Sequence, residues 1–184
     1  MENVYDIRRD KNLLYILPER KNVDTGPLSR DVYRKTAVLV YLYYRDTLPE
    51  YYRYLENIPP EVDVYLISSR QDILDSVRAH FCRSSGRKLC YILKENRGRD
   101  VSALLVAGRD IIAGYAYVCF LHDKKEHSVE WKEDTRLWVE NLWGNQIGSA
   151  AYIDAVLGLF EKNKALGILA PPEPGGKHFN TWYG

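Results

Sequence analysis

Residues 36–69, TAVLVYLYYRDTLPEYYRYLENIPPEVDVYLISS, hold two apolar runs separated by a short stretch of different texture. Thr36 to Tyr44 is an unbroken β-branched and aromatic run, the pattern of a strand buried on both faces. Val62 to Ser69 repeats it, and the tyrosine-rich residues from Pro49 to Glu56 between them suit one short helix. Strand, helix, strand over this distance is a βαβ unit, and a βαβ unit requires parallel strands joined by a right-handed crossover.

The same alternation continues downstream. Ile73, Val77 and Phe81 recur at helical spacing, RKLCYILKE (87–95) reads as a third strand, and Tyr115 to Leu121 as a fourth. Between these two strands Val101, Leu104, Leu105, Ile111 and Ile112 share one helical face, and LGILAPP (166–172) reads as a fifth strand stopped by proline. Two more amphipathic stripes precede it, Trp131, Thr135, Trp138 and Leu142, then Ile153, Val156, Leu157 and Phe160. Upstream, residues 1–35 read as an extension containing one short strand at Leu13 to Leu17, with residues 36–184 as the α/β domain. The expected architecture is a mostly parallel sheet with helices on both faces.

Bulk composition excludes several classes. With 26 basic and 25 acidic residues, the net charge of +1 gives no global reason to bind nucleic acid or a membrane surface. No apolar run approaches the roughly 20 residues needed to span a bilayer, and the charged amino terminus lacks a signal-peptide core. The expected location is the cytoplasm. Three cysteines without close spacing argue against a disulfide framework.

In a doubly wound sheet, ligands gather beyond the carboxyl ends of the strands. Tyr43 and Tyr44 follow the first strand and Ser68 and Ser69 close the second, so Tyr43 and Ser68 are placed to meet a base and ribose. After the third strand come Asn96, Arg97, Gly98, Arg99 and Asp100. Asp100 suits a helix cap and Gly98 a turn. Neither accounts for two arginines beside a helix start, which together suit a diphosphate. After the fourth strand come His122, Asp123, Lys124 and Lys125. There Asp123 could hold a hard divalent cation, or the lysines could neutralise phosphate without one. No phosphate-binding P-loop and no dinucleotide glycine fingerprint is present.

Taken together, AVLVYLYYRDTLPEYYRYLENIP (37–59), VDVYLISS, ENRGRDVSALL, YAYVCFLHDKKEHS and LGILAPP resemble the rhamnan synthesis protein F family, in that family's order. The resemblance implies a glycosyltransferase A-type sandwich that uses a nucleotide sugar, dTDP-rhamnose, to build a bacterial surface polysaccharide. Its acceptor would be a polysaccharide or lipid-linked chain, handled at the inner face of the plasma membrane, by peripheral association or within a multi-domain assembly. In that fold an Asp-x-Asp after the fourth strand binds manganese or magnesium on the donor diphosphate. Here His122-Asp123-Lys124 stands in its place, leaving one carboxylate. The resemblance also implies an acceptor-side segment past the fifth strand, so an ending at HFNTWYG reads as lacking that half. No general base can be chosen from these loops. A non-catalytic nucleotide-sugar-binding or assembly domain is the alternative reading.

Overall fold

The computed structural model describes residues 28–82, 88–125 and 132–171. Its centre is one four-stranded, all-parallel sheet in the order β3-β2-β1-β4, with β1 Thr36–Tyr41, β2 Asp63–Ser68, β3 Leu89–Leu93 and β4 Tyr117–His122. Val40 pairs with Leu66 on one side and Leu121 on the other, which sets β1 at the centre. All six β1 residues are buried, as the unbroken apolar run requires of a strand covered on both faces.

Successive β1 residues divide between two cores, as the period of two demands. Val38, Val40 and Leu42 face a large cluster built with α2 (Leu48–Leu55), α3 (Gln71–Phe81), α6 (Lys132–Ile147) and α7 (Ala150–Lys162). Ala37, Leu39 and Tyr41 face a smaller cluster with Ala103, Leu104, Ile111 and Ile112 from the crossover between β3 and β4. Helices therefore cover both faces, and the architecture is the α/β sandwich expected, consistent with the glycosyltransferase A type. A five-residue helix, α1 (Arg30–Arg34), leads into β1 with Val32 in the larger core.

Three expectations are corrected. LGILAPP does not form a fifth strand: residues 166–171 have no regular structure and Ile168 is largely exposed, in keeping with a glycine and a proline that weaken pairing. The crossover is not one helix but α4 (Arg99–Ser102), a π-helical segment (Ala103–Ala107) and α5 (Arg109–Ile112). The wider π turn breaks the 3.6-residue period, so Leu104 and Ile111 pack inward while Val101 and Leu105 face solvent. In α6 the buried side chains are Val139, Trp143 and Ile147, with Trp138 and Leu142 only partly covered. The strand expected at Leu13 to Leu17, and Trp131, lie outside the described residues.

The connections after β1 and β2 run to one side of β1, and the one after β3 returns to the other. The switch point of the sheet therefore lies between β1 and β4.

Candidate functional site

A polar cleft of about 590 Å³ opens at this switch point, lined by Tyr41, Tyr43, Tyr44, Asn96, Arg99, Asp100 and residues 122–125. It lies at the carboxyl ends of β1 and β4, where an open parallel sheet leaves backbone groups and loop side chains free to converge. The loops after β3 and β4 share it, although they leave strands at opposite edges of the sheet.

Its floor is pinned from several directions. Asp123 is 4% exposed, and its Oδ2 accepts hydrogen bonds of 2.7 Å from the backbone N–H groups of both Tyr43 and Tyr44. Its own N–H donates to the Tyr41 carbonyl, so β4 and the chain after β1 are tied together at one residue. Burial pushes the Asp123 carboxyl up to about 6, against the two amide bonds and His122, which pull it down. The Tyr51 hydroxyl donates to the Lys124 carbonyl and accepts from the Lys124 N–H, and Trp143 Nε1 donates to the His122 carbonyl. The backbone of His122 to Lys124 is thus fixed before any ligand arrives.

Charge in the cleft is less evenly matched. Lys125 Nζ pairs with Asp46 at 2.5 Å. Lys124 Nζ lies 5.6 Å from the Trp138 ring centroid, and neither it nor the Arg99 guanidinium meets a carboxylate among the described residues. His122 Nδ1 lies 3.0 Å from the Asp123 carbonyl, which only accepts, so the neutral ring carries its proton there. Nε2 then lies 3.9 Å from Asp100 Oδ2.

The loop before α4 divides the predicted arginines. Gly98, at φ 71°, and Arg99, at φ 47°, both adopt left-handed backbone. Arg99 lines the cleft, whereas Arg97 and Gly98 line a separate hollow with Leu93 and Val106. Asp100 is not the cap of α4: Gly98 occupies that position, Asp100 sits in the first turn, and Ser102 Oγ donates to the Arg97 and Arg99 carbonyls instead. Ser68 is fully buried, donating to the Leu42 carbonyl at 2.6 Å and accepting from the Arg70 N–H. It joins β2 to the end of β1 and does not line the cleft.

Asn96, Arg99, Asp100, His122, Asp123, Lys124, Lys125 and Tyr43 are therefore gathered in one place, and Arg97, Gly98 and Ser68 are not. Sequence reasoning named Tyr44 at the strand end without giving it a ligand, and it passed over Tyr41. Tyr41 closes β1 with its hydroxyl 3.2 Å from Ser69 Oγ and the Lys94 ammonium 5.1 Å from its ring centroid. Its place as the last residue of a buried strand was the available signal.

A divalent cation fits this site poorly. One oxygen of Asp123 already serves two amides, Lys124 stands beside it, and no group of three metal-ligating side chains occurs among the described residues.

The family model for rhamnan synthesis protein F matches residues 1–183. The chain belongs to that family, whose members take part in rhamnan and polysaccharide synthesis. No curated protein and no solved structure matches the chain. Among the described residues no helix is long and apolar enough to cross a membrane.

Proposed function

We propose that this rhamnan synthesis protein F domain binds the diphosphate of a nucleotide sugar, dTDP-rhamnose, in the cleft between β1 and β4, and that it acts as a glycosyltransferase. The observation that carries this is the convergence of Arg99 and Lys124, two cations that meet no carboxylate among the described residues, on a pinned cleft at the switch point of a parallel sheet. Charge-assisted contacts from a guanidinium and an ammonium suit diphosphate oxygens. Because the backbone beneath them is fixed by Asp123, Tyr51 and Trp143, little reorganisation accompanies binding. The same cations stabilise charge that develops on the departing diphosphate as an acceptor hydroxyl attacks the anomeric carbon. Tyr43 and Tyr44 supply aromatic surface for the base, and His122 Nε2, beside Asp100, can take a proton from a group in the cleft.

A second reading, binding without transfer, is favoured by the buried Asp123 carboxylate being committed to backbone amides. Calorimetry with dTDP-rhamnose and other nucleoside diphosphate sugars tests binding, and product analysis with a polysaccharide or lipid-linked acceptor tests transfer. Arg99→Ala and Lys124→Ala should each weaken binding by about 1.5–3 kcal/mol, the usual worth of a hydrogen bond to a charged group. Unchanged affinity in both variants overturns the assignment of the cleft.

A further inference from the structure

Six large apolar side chains stand exposed among the described residues. Leu137 lies on α6 and Ile168 in the segment after α7, but Leu93, Val101, Leu105 and Val106 all fall between the end of β3 and the π-helical segment, each 56% exposed or more. Leu93 and Val106 line a hollow of about 590 Å³ with Ile92 and Ala107. Val101 and Leu105, four residues apart in the same crossover, are turned outward beside it. An apolar hollow bordered by apolar projections is a surface shaped to pack against another.

The charges around the hollow say what that other surface is. Glu95 and Arg97 both line it, both are exposed, and neither has an ion pair among the described residues, whereas Arg34, Arg78 and Arg136 each face a carboxylate. Lys94 adds little to the rim, because its Nζ donates to the Glu95 and Arg97 carbonyls and lies 5.1 Å from the Tyr41 ring centroid. One carboxylate and one guanidinium leave the rim without net charge, which favours neither an anionic nor a cationic partner. It matches a copy of itself. Across a twofold axis a contact between two different residues is made twice with the roles exchanged, so Glu95 can face Arg97 of a second copy while Arg97 faces that copy's Glu95. The same axis sets the outward side chains of each copy against the hollow of the other. Paired charges at a polar rim around an apolar centre are the ordinary make-up of a protein contact.

We propose that two copies of the chain pair through this face about a twofold axis, Val101 and Leu105 of each packing into the hollow of the other and Glu95 meeting Arg97 twice across the rim. A stable pair buries about 800 Å² from each partner, more than one hollow and four aliphatic side chains supply, so the pairing is weak and concentration-dependent. The loop from Asn96 to Arg99 borders both this hollow and the cleft, which places a cleft close to the axis on either side. The proposal is independent of what occupies the cleft, and its test needs no nucleotide sugar.

Sedimentation velocity of the full chain over a concentration series tests it, and the parent should pass from monomer to dimer as concentration rises. Glu95→Arg and Arg97→Glu each set like charges against one another at two places, and each should weaken pairing on the order of tenfold. Carrying both changes in one chain, or mixing the two single variants in equal amounts, restores opposite charges at both places and should restore pairing. The double variant Val101→Ser, Leu105→Ser should abolish it by removing the apolar projections. Thermal unfolding confirms that these exposed substitutions leave the fold intact. A parent that stays monomeric at every concentration overturns the proposal, as does a dimer that the Val101→Ser, Leu105→Ser variant leaves unchanged. Single charge variants that pair as well as the parent, or that neither the swap nor the mixture restores, overturn it equally.

Discussion

Asp123 is the one buried carboxylate among the described residues, and two opposing forces act on it. Burial disfavours its charge, while the Tyr43 and Tyr44 amides favour it, and burial wins, raising it to about 6. In the unfolded chain an aspartate titrates near 3.9. The folded protein therefore holds a proton between about pH 4 and pH 6 that the unfolded chain has released, so this group adds stability as pH falls through 6 and withdraws it as pH rises. A difference of that size between the folded and unfolded chain corresponds to about 3 kcal/mol at most. Asp123→Asn keeps an oxygen for both amides without a buried charge. Urea unfolding across that range should show a flatter pH dependence for the variant than for the parent; identical slopes would show that Asp123 titrates elsewhere. Asp123→Ala should instead lose about 1–3 kcal/mol for each amide left without an acceptor, seen as a lower urea midpoint at neutral pH. Arg99 carries a different conflict, since a side chain at φ 47° costs roughly 1–2 kcal/mol in left-handed backbone. Arg99→Gly should leave thermal stability equal or raised while nucleotide-sugar affinity falls about tenfold or more, the loss of one charge-assisted contact. A variant less stable than the parent would show that the guanidinium holds the fold and not a ligand.

Elements differ in how plainly the chain announces them. β1 and β2 were legible because a buried parallel strand is a continuous apolar run, and α3 because Ile73, Val77 and Phe81 keep a strict helical period into one core. The crossover after β3 was not, because a π segment changes the period in mid-course and places Val101 and Leu105 on the solvent side of a pattern that assumed one face. LGILAPP misled for another reason: its composition suits a strand, but among the described residues no hydrogen-bonded neighbour takes it up. The site follows the same logic. The β4 loop could be located from the strand end alone, whereas the fate of Arg97, Arg99 and Ser68 depended on side-chain direction, which spacing does not carry. Gly98 was legible as a turn, and it separates the two arginines. Its left-handed backbone, and Ser102 Cβ only 2.7 Å from where a Cβ would stand, make Gly98→Ala a strain of roughly 1–2 kcal/mol or more. That substitution should lower thermal stability and weaken nucleotide-sugar binding together, since it displaces Arg99 from the cleft. An effect on stability alone would show that the loop keeps its course without glycine.

Across the whole molecule, the two ends of the sheet carry polar groups put to different uses. At the carboxyl end, Arg99 and Lys124 face an open cleft and meet no carboxylate among the described residues. At the amino end the polar groups satisfy one another. Asp63, opening β2, accepts from Lys88 Nζ at 2.6 Å and from the Tyr115 hydroxyl, which lies 2.8 Å from that of Tyr65. Burial, with Asp63 adding to it, raises the Tyr115 hydroxyl well above the usual phenol range, so it stays protonated and donates at all ordinary pH. This cluster joins the residues entering β2, β3 and β4. Tyr115→Phe should therefore cost about 1–3 kcal/mol in urea unfolding, because Asp63 keeps its charge but loses a donor. Nucleotide-sugar affinity measured on the folded variant should remain that of the parent, since the cleft lies at the other end of β1 and β4 and its pinning contacts, from Asp123, Tyr51 and Trp143, are untouched. A variant of unchanged stability would mean that solvent replaces the lost bond at no cost. One that binds more weakly would mean that the strands transmit displacement along their length, and that the two ends of the sheet are not separable as stabilising and binding regions.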